Sequence, residues 1–203
     1  MHIEFLVEEL SAESALTNLL PKILGATTTY TIHPYQGKPD LLRKLPGRLK
    51  GYQSWLPDDW RLVVLVDADS DDCKRLKAQL ETAAQDAGLI TKSSATSGKN
   101  IQVLNRLAIE ELEAWFFGDV EALCAAYSRI NPNLGKQSRY RDPDAIAGGT
   151  WEALERVLQR AGHYSTGISK IAVAQNVSKH MNPARNRSKS FQVFRDGLQE
   201  LLR

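Results

Sequence analysis

The sequence has few of the residues that build disulfide-stabilised or membrane-inserted proteins. Its 203 residues include only two cysteines, Cys73 and Cys124, which is too few for a disulfide framework or a cysteine-rich metal cluster. No apolar run approaches the roughly 18 residues that a membrane-spanning helix needs. The short apolar run at the N-terminus is interrupted by Glu4 and Glu8, which argues against a signal peptide. We therefore expect a cytoplasmic protein in a reduced state, with no membrane partner.

Several common motifs of enzymes are also missing. The sequence contains neither G-x-G-x-x-G nor G-x-S-x-G. Ser97-Gly98-Lys99-Asn100 is not a phosphate-binding P-loop, because Asn100 stands where that motif requires Ser or Thr. The four histidines do not show the spacing of zinc ligands.

The net charge is small, but its distribution along the chain is uneven. The formal charge is +2, with 14 Lys/Arg against 18 Asp/Glu in residues 1–135 and 12 against 6 in residues 136–203. An acidic first part and a basic tail are typical of an enzyme that binds a metal in one place and a polyanion in another. Ordinary scatter of surface charge gives the same totals, so both interpretations stay open here.

The pattern of apolar residues predicts an α/β protein with a mostly parallel sheet flanked by helices. Strands are expected at 2–7, 27–33, 61–66 and 101–109, with helices between them at 11–24, 39–52 and 71–86. Pro46 and Gly47 are expected to break or bend the second helix. A helix is expected from Glu110 to Phe117 and another at 120–127. We expect residues 1–130 to form the core and residues 131–203 a loop-rich, helical C-terminal cap.

Acidic residues follow three of the predicted strands. Asp67 and Asp69 come directly after the run Leu62 to Val66, and Glu8 follows the first strand. In an open α/β sheet, ligands bind at the carboxyl ends of the strands. On an extended backbone Asp67 and Asp69 point to the same side, and such paired carboxylates are typical ligands of Mg²⁺ or Mn²⁺. Asp71 and Asp72 are better explained as acids at a helix N-terminus.

A third acidic group follows the strand at 101–109. Glu111 and Glu113 are candidates for a second metal position, although acids at a helix N-terminus are favoured without any metal. The candidate phosphate-binding residues are the isolated Lys99 and Arg106 and the basic stretch near the C-terminus, with Arg185, Arg187 and Lys189. A solvated basic linker is the alternative explanation for that stretch. Lys38 is a further isolated cation of the same kind.

The pairing of Glu8 with Asp67-x-Asp69 resembles the Toprim domain of topoisomerases, primases and OLD-type nucleases. That domain has one Glu at the end of its first strand and a D-x-D at the end of a later strand. The resemblance implies a Toprim-like fold, with Glu8, Asp67 and Asp69 as catalytic and metal-binding residues. Toprim nucleases commonly have Gly after the Glu, where this chain has Glu9.

The whole chain is also similar to an uncharacterised bacterial family of Toprim-like proteins. The similar segments include Phe5 to Glu9, Gln36 to Leu42, Val64 to Asp67, Ile109 to Trp115 and Asn186 to Phe191. Members of that family are often encoded beside ABC-type ATPases in loci suspected of anti-phage defence. The resemblance thus implies a nucleic-acid substrate and an ATPase partner.

The sequence leads to the hypothesis of a metal-dependent phosphodiesterase that cleaves DNA or RNA. One alternative is a non-catalytic, Toprim-shaped regulatory subunit of an ATPase complex. Another is a phosphatase of the haloacid-dehalogenase type, because D-x-D is also the nucleophile and acid pair of those enzymes. In that class the motif normally ends the first strand, whereas here it follows about the third.

Overall fold

The structure, a computed structural model, describes residues 1–96, 100–164 and 167–202. Within these ranges the chain alternates strands and helices up to Asp86 and is mostly helical after Ala108. The strands are β1 (His2–Val7), β2 (Thr29–Pro34), β3 (Trp60–Asp67) and β4 (Val103–Ala108). The helices are α1 (Leu10–Leu24), α2 (Lys38–Gln53), α3 (Cys73–Asp86), α4 (Glu113–Gly118), α5 (Val120–Ala126), α6 (Thr150–Arg160), α7 (Lys170–His180) and α8 (Lys189–Leu201).

The four strands form one parallel sheet in the order β2-β1-β3-β4. This confirms the predicted α/β class with a parallel sheet, flanking helices and a helical C-terminal part. The unbroken apolar run of β3 is buried on both faces, as expected for a central parallel strand. Because all strands run the same way, their carboxyl ends meet at one edge, and β1 and β3 are neighbours there.

Apolar residues on the two faces of the sheet belong to two separate cores. Phe5 and Val63 face the larger core, which includes α1, α7 and α8. Leu6 and Val64 face the smaller core, formed with α2 and α3. The alternation of side chains along each strand therefore places helices on both faces.

Helix α2 contains no break, and the predicted start of α4 was wrong. Helix α2 runs unbroken through Pro46 and Gly47, since burial of one face at Leu41, Leu45 and Leu49 stabilises it over its whole length. The helix predicted from Glu110 begins only at Glu113. Glu110 has a left-handed backbone with φ 60°, and its carbonyl accepts a hydrogen bond from the Asp69 N–H at 2.6 Å.

The C-terminal helices pack directly on the α/β part. Asn18 of α1 donates to Ser178 Oγ of α7 at 2.9 Å, and Lys22 donates to the Met181 carbonyl at 2.8 Å. Helix α8 packs against β4. In the described part of the chain, none of the helices combines the length and apolar character needed to cross a membrane.

Candidate active site at the carboxyl edge of the sheet

Glu8 lies just beyond the end of β1, against the end of β3. Its Oε2 accepts a hydrogen bond from the backbone N–H of Asp67 at 3.2 Å. Burial raises the pKa of Glu8, and the negative charge of Asp69 adds to the increase. The Asp67 N–H and Lys38 act in the opposite direction. The carboxylate of Glu8 therefore binds a proton more readily than a free Glu side chain does, which suits a general base.

Asp67 is the last residue of β3 and is only partly exposed. Burial, followed by repulsion from Glu113 and then Glu8, raises its pKa well above the usual range. The backbone N–H of Leu112 offsets part of this effect. Asp67 thus lies close enough to Glu113 and Glu8 for their negative charges to oppose its ionisation.

Glu113 begins helix α4 and is 1% exposed. Burial raises its pKa to about 7, while the positive charge of Lys170 at the start of α7 limits the rise. Neighbouring Glu111 and Glu9 repel it further. A buried carboxylate with this pKa needs either a proton or a cation beside it at neutral pH.

Asp69 does not have the extended backbone that the sequence led us to expect. The chain leaves the sheet after Asp67, and Asp69 is left-handed with φ 47°. Ala68 and Asp69 donate their N–H groups to the carbonyls of Ala108 and Glu110, which join this turn to the one after β4. The alternation argument for Asp67 and Asp69 was therefore wrong, although the turn keeps Asp69 beside the site.

The cation closest to this turn is Lys38, the first residue of α2. Its Nζ lies 2.7 Å from Asp69 Oδ2 and 2.8 Å from Asp71 Oδ2, and it donates to the Ala68 carbonyl at 3.1 Å. Burial lowers the pKa of Lys38, but the hydrogen bonds to Asp69 and Asp71 outweigh burial, so the pKa is raised and the ammonium stays charged. In the sequence Lys38 is an isolated cation, because nothing local links residue 38 to residue 69.

The two acids after that turn have different roles. Asp72 is the N-cap of α3, and its Oδ1 accepts from the Arg75 N–H at 2.8 Å, which confirms the capping role. Asp71 instead forms the ion pair with Lys38.

Glu111 lies near Glu113, but its carboxylate is engaged elsewhere. Its Oε2 accepts from the Trp151 N–H at 2.7 Å and from Thr150 Oγ1 at 2.9 Å, so it caps the start of α6. Its Oε1 lies 3.4 Å from the Nζ of Lys170. These partners lower its pKa despite burial. The structure thus assigns Glu111 to the junction between α6, α7 and the site.

Glu9, which stands where Toprim nucleases commonly have Gly, has an ordinary backbone. Its φ of −152° is extended, a conformation that any residue adopts. Glu9 therefore introduces no backbone strain next to Glu8. Its carboxylate accepts a hydrogen bond from Ser11 Oγ.

The side chains fit a hard divalent cation by their chemistry. Among residues 1–96, 100–164 and 167–202, no three His, Cys, Asp or Glu side chains already stand in a metal-coordinating arrangement. Burial is nevertheless the largest cause of a raised pKa at Glu8, Asp67 and Glu113, and at each of them at least one neighbouring carboxylate adds to the rise. A divalent cation relieves this repulsion, and carboxylate oxygens are the ligands that Mg²⁺ and Mn²⁺ prefer.

Arg106, a predicted phosphate-binding residue, is only 8% exposed. Its Nε donates to the Val193 carbonyl at 3.1 Å and its Nη1 to the Asn105 carbonyl at 2.9 Å. The guanidinium therefore attaches α8 to strand β4, and the structure does not bring it to the carboxylates. Lys99 lies outside the described residues.

The basic stretch near the C-terminus alternates between buried polar and exposed charged residues. Asn186, Ser188 and Ser190 are buried; Asn186 donates to the Trp115 carbonyl at 2.8 Å, and Ser190 accepts from the Trp115 indole at 2.9 Å. Arg187 and Lys189 are exposed between them. This segment therefore fastens α8 to α4.

Arg185 is engaged by acids. Its Nε donates to Asp119 at 2.8 Å and its Nη1 to Glu121 at 2.7 Å. Arg187 donates to the Gly135 carbonyl at 3.3 Å. In this arrangement the charge of Arg185 is largely compensated within the protein.

A family model described as a domain of unknown function, DUF4276, matches residues 7–199. No curated protein and no solved structure matches the chain. The matched range includes the ends of all four strands and every carboxylate of the site. The chain belongs to the DUF4276 family.

Proposed function

We propose that this protein is a phosphodiesterase that cleaves nucleic acid with the help of Mg²⁺ or Mn²⁺. The observation that supports the proposal best is the convergence of Glu8, Asp67 and Glu113 from the ends of three adjacent strands. Each of these carboxylates is buried enough to have a raised pKa. The resemblance of Glu8 and Asp67-x-Asp69 to the Toprim pattern points to the same chemistry.

The proposed roles follow from the surroundings of each side chain. Asp67, Asp69 and Glu113 hold the cation, with Glu8 as a ligand or as the base that takes a proton from the attacking water. When bound, such a cation polarises the phosphoryl oxygens and stabilises the negative charge of the displacement. We assign Glu111 a structural role instead of the expected second metal position, because its carboxylate accepts from the Trp151 N–H and pairs with Lys170.

Lys38 supplies the protein's own positive charge at the site. Its ammonium lies 2.7 Å from Asp69 Oδ2, so it would be close to a phosphate bound to a cation at Asp69. A lysine ammonium is a compact point charge that neutralises phosphate oxygens effectively. Among the cations that the sequence offers for phosphate binding, we assign this role to Lys38.

The wider setting rests on the resemblance alone. It includes a DNA or RNA substrate, an ABC-type ATPase partner and a role in anti-phage defence. We also propose a cytoplasmic location, where the free thiols of Cys73 and Cys124 are kept reduced.

The test is nucleic-acid cleavage by the purified protein with Mg²⁺ or Mn²⁺. Supercoiled plasmid, single-stranded DNA and tRNA are compared for the wild type, Glu8→Gln, Asp67→Asn and Asp72→Asn. The last variant is the matched control, because Asn caps a helix as well as Asp does. We expect the wild type and the control to cut, and both site variants to lose at least about 100-fold in rate, since even outer-shell changes at metal sites cost about 10–100-fold.

Two results contradict the proposal. Cleavage that survives in Glu8→Gln and Asp67→Asn places the activity elsewhere. No cleavage by any protein with any substrate removes the free-standing nuclease. In that second case, magnesium-independent association with an ATPase that Asp67→Asn leaves intact supports the non-catalytic alternative.

A further inference from the structure

Helix α2 is the most basic helix of the described chain. Five of its sixteen residues are Lys or Arg and one is acidic, Asp40. The cations are Lys38, Arg43, Lys44, Arg48 and Lys50. None of the other helices within the described ranges has a formal charge above +2. The single acid is shared by Arg43 and Lys44, so most of the positive charge of α2 is uncompensated within the helix.

This helix starts at the site. Lys38 contacts Asp69 and Asp71, and the N–H of Gly37 donates to the Glu8 carbonyl at 2.9 Å. Cations further along α2 therefore continue the positive charge away from the carboxylates. A surface of one sign that leads into a cleft raises the local concentration of a ligand of the opposite sign.

A groove of about 480 Å³ lies between α2 and strand β2. It is lined by His33, Pro34, Tyr35, Lys44, Gly47 and Arg48. Strand β2 is at the edge of the sheet, since it pairs with β1 alone among the described strands. The groove is therefore open along the side of the molecule, between the end of β2 and the middle of α2.

Hydrogen bonds to buried residues beneath the groove hold its side chains in place. Glu4 is buried and accepts hydrogen bonds from His33 and from the Tyr52 hydroxyl, the latter at 2.8 Å. Arg48 donates to the same Tyr52 hydroxyl at 3.2 Å, with its guanidinium 5.0 Å from the ring centre. The Nζ of Lys44 lies 5.8 Å from the ring centre of Tyr35. Cations and rings that are already oriented lose little freedom when they bind a ligand.

We propose that this groove binds the strand of nucleic acid that enters the site, with Lys44 and Arg48 on its backbone phosphates. The inference rests on the proposed function, because it takes the substrate to be a nucleic acid. Cations beside aromatic side chains are the combination with which proteins hold single strands, because rings stack on bases while cations bind phosphates. This places the polyanion on α2, and not on the C-terminal arginines that sequence analysis selected.

The test is binding of a fluorescent 20-nucleotide single-stranded DNA in EDTA, so that no cleavage takes place. Fluorescence anisotropy measures Kd at several salt concentrations from about 50 to about 200 mM. The proteins are the wild type, Lys44→Gln, the double variant Lys44→Gln/Arg48→Gln and the control Arg187→Gln/Lys189→Gln. The control removes the same charge from two exposed residues of the C-terminal stretch. Thermal unfolding of each protein verifies that it is folded.

We expect the slope of log K against log salt to become less negative by about 1.4 in the double variant, which corresponds to two lost phosphate contacts on a single strand. Lys44→Gln alone, which removes an exposed charged side chain, should make the slope less negative by about 0.7. The control should keep the wild-type slope. Equal slopes for the double variant and the wild type, a larger loss in the control, or no binding by the wild type overturn the inference.

The outcome is separable from that of the cleavage test. A wild type that cuts nucleic acid while the double variant keeps its salt slope leaves the nuclease proposal standing and removes the α2 groove. A wild type that binds through α2 but never cuts supports the groove and contradicts the nuclease.

Discussion

The ammonium of Lys38 lies 2.7 Å from Oδ2 of Asp69, the second acid of the D-x-D motif. The two residues are brought together by the turn after β3 and the start of α2. The lysine is 11% exposed and the aspartate 46%. A proposed ligand of a divalent cation thus already has a cation of the protein's own beside it, and a bound metal ion would compete with Lys38 for the same oxygens.

Replacing Lys38 with Met should strengthen metal binding while it weakens catalysis. Without the ammonium, Asp69 and Asp71 lose their competitor, and we expect the Kd for Mn²⁺ to fall about tenfold, equivalent to about 1.4 kcal/mol. Isothermal titration of the metal-free protein measures this without any turnover. Lys50→Met, at the exposed end of the same helix, is the control and should bind Mn²⁺ like the wild type. An unchanged or weaker Mn²⁺ affinity in Lys38→Met would show that the two cations do not compete.

We expect Glu111 to be a structural residue and Glu113 to be a metal ligand. Glu111→Gln weakens the cap on α6 and the ion pair with Lys170, so we expect a lower Tm and nearly unchanged Mn²⁺ affinity. Glu113→Gln removes a buried charge that repels Asp67, so its Tm should be kept or raised while Mn²⁺ affinity falls about tenfold or more. Calorimetry and metal titration of both variants verify the assignment. Parallel loss of metal affinity in both would restore Glu111 as a ligand.

The stability of the protein should depend on the ionisation of Glu81 in acid. Burial opposes ionisation of this α3 residue, but hydrogen bonds led by Lys77 and Ser93 lower its pKa from 4.5 to about 2. A carboxylate with a lower pKa in the folded than in the unfolded state stabilises the fold at pH values above the unfolded-state pKa. This contribution disappears as the pH falls from about 4.5 to about 2. We expect the difference in unfolding free energy between the wild type and Glu81→Gln to shrink over that range. Urea titrations at several pH values measure it, and a difference that stays constant with pH refutes the prediction.

Gly197 of α8 is required for the close approach of Arg106. A Cβ at this position would lie 2.4 Å from Nη2 and 2.8 Å from Nε of that guanidinium. Gly197→Ala should displace Arg106 from the Val193 carbonyl and destabilise the protein by about 1–3 kcal/mol, which lowers Tm by roughly 2–4 °C per kcal/mol. Gly51→Ala is the control, because a Cβ there meets no atom within 4 Å and Ala favours the helix by up to about 1 kcal/mol. Equal Tm values for the two variants would mean that the Arg106 contact carries little stability.

Much of the fold could be predicted because its signals are local. The run Leu62 to Val66 identifies a buried strand without knowledge of its neighbours, and Leu41, Leu45 and Leu49 share one helix face through spacing alone. Because the strands are parallel, the acids that follow β1, β3 and β4 lie at the same edge of the sheet. The exact start of α4 did not follow, because it depends on a hydrogen bond between Asp69 and Glu110, which belong to different turns.

The sequence by itself determined the α/β class, the position of the strands and the presence of carboxylates at one edge, since each depends on residues a few positions apart. Only the tertiary structure decided how the charges are paired. It brings Lys38 into ion pairs with Asp69 and Asp71, and Arg185 into an ion pair with Asp119. It also brings Thr150 and Trp151 into hydrogen bonds with Glu111, and Arg106 into close contact with Gly197. These partners lie between 31 and 91 positions apart in the sequence. Which charged residues form pairs depends on how whole helices and strands pack together. The sequence near either residue has no periodic pattern that indicates this packing.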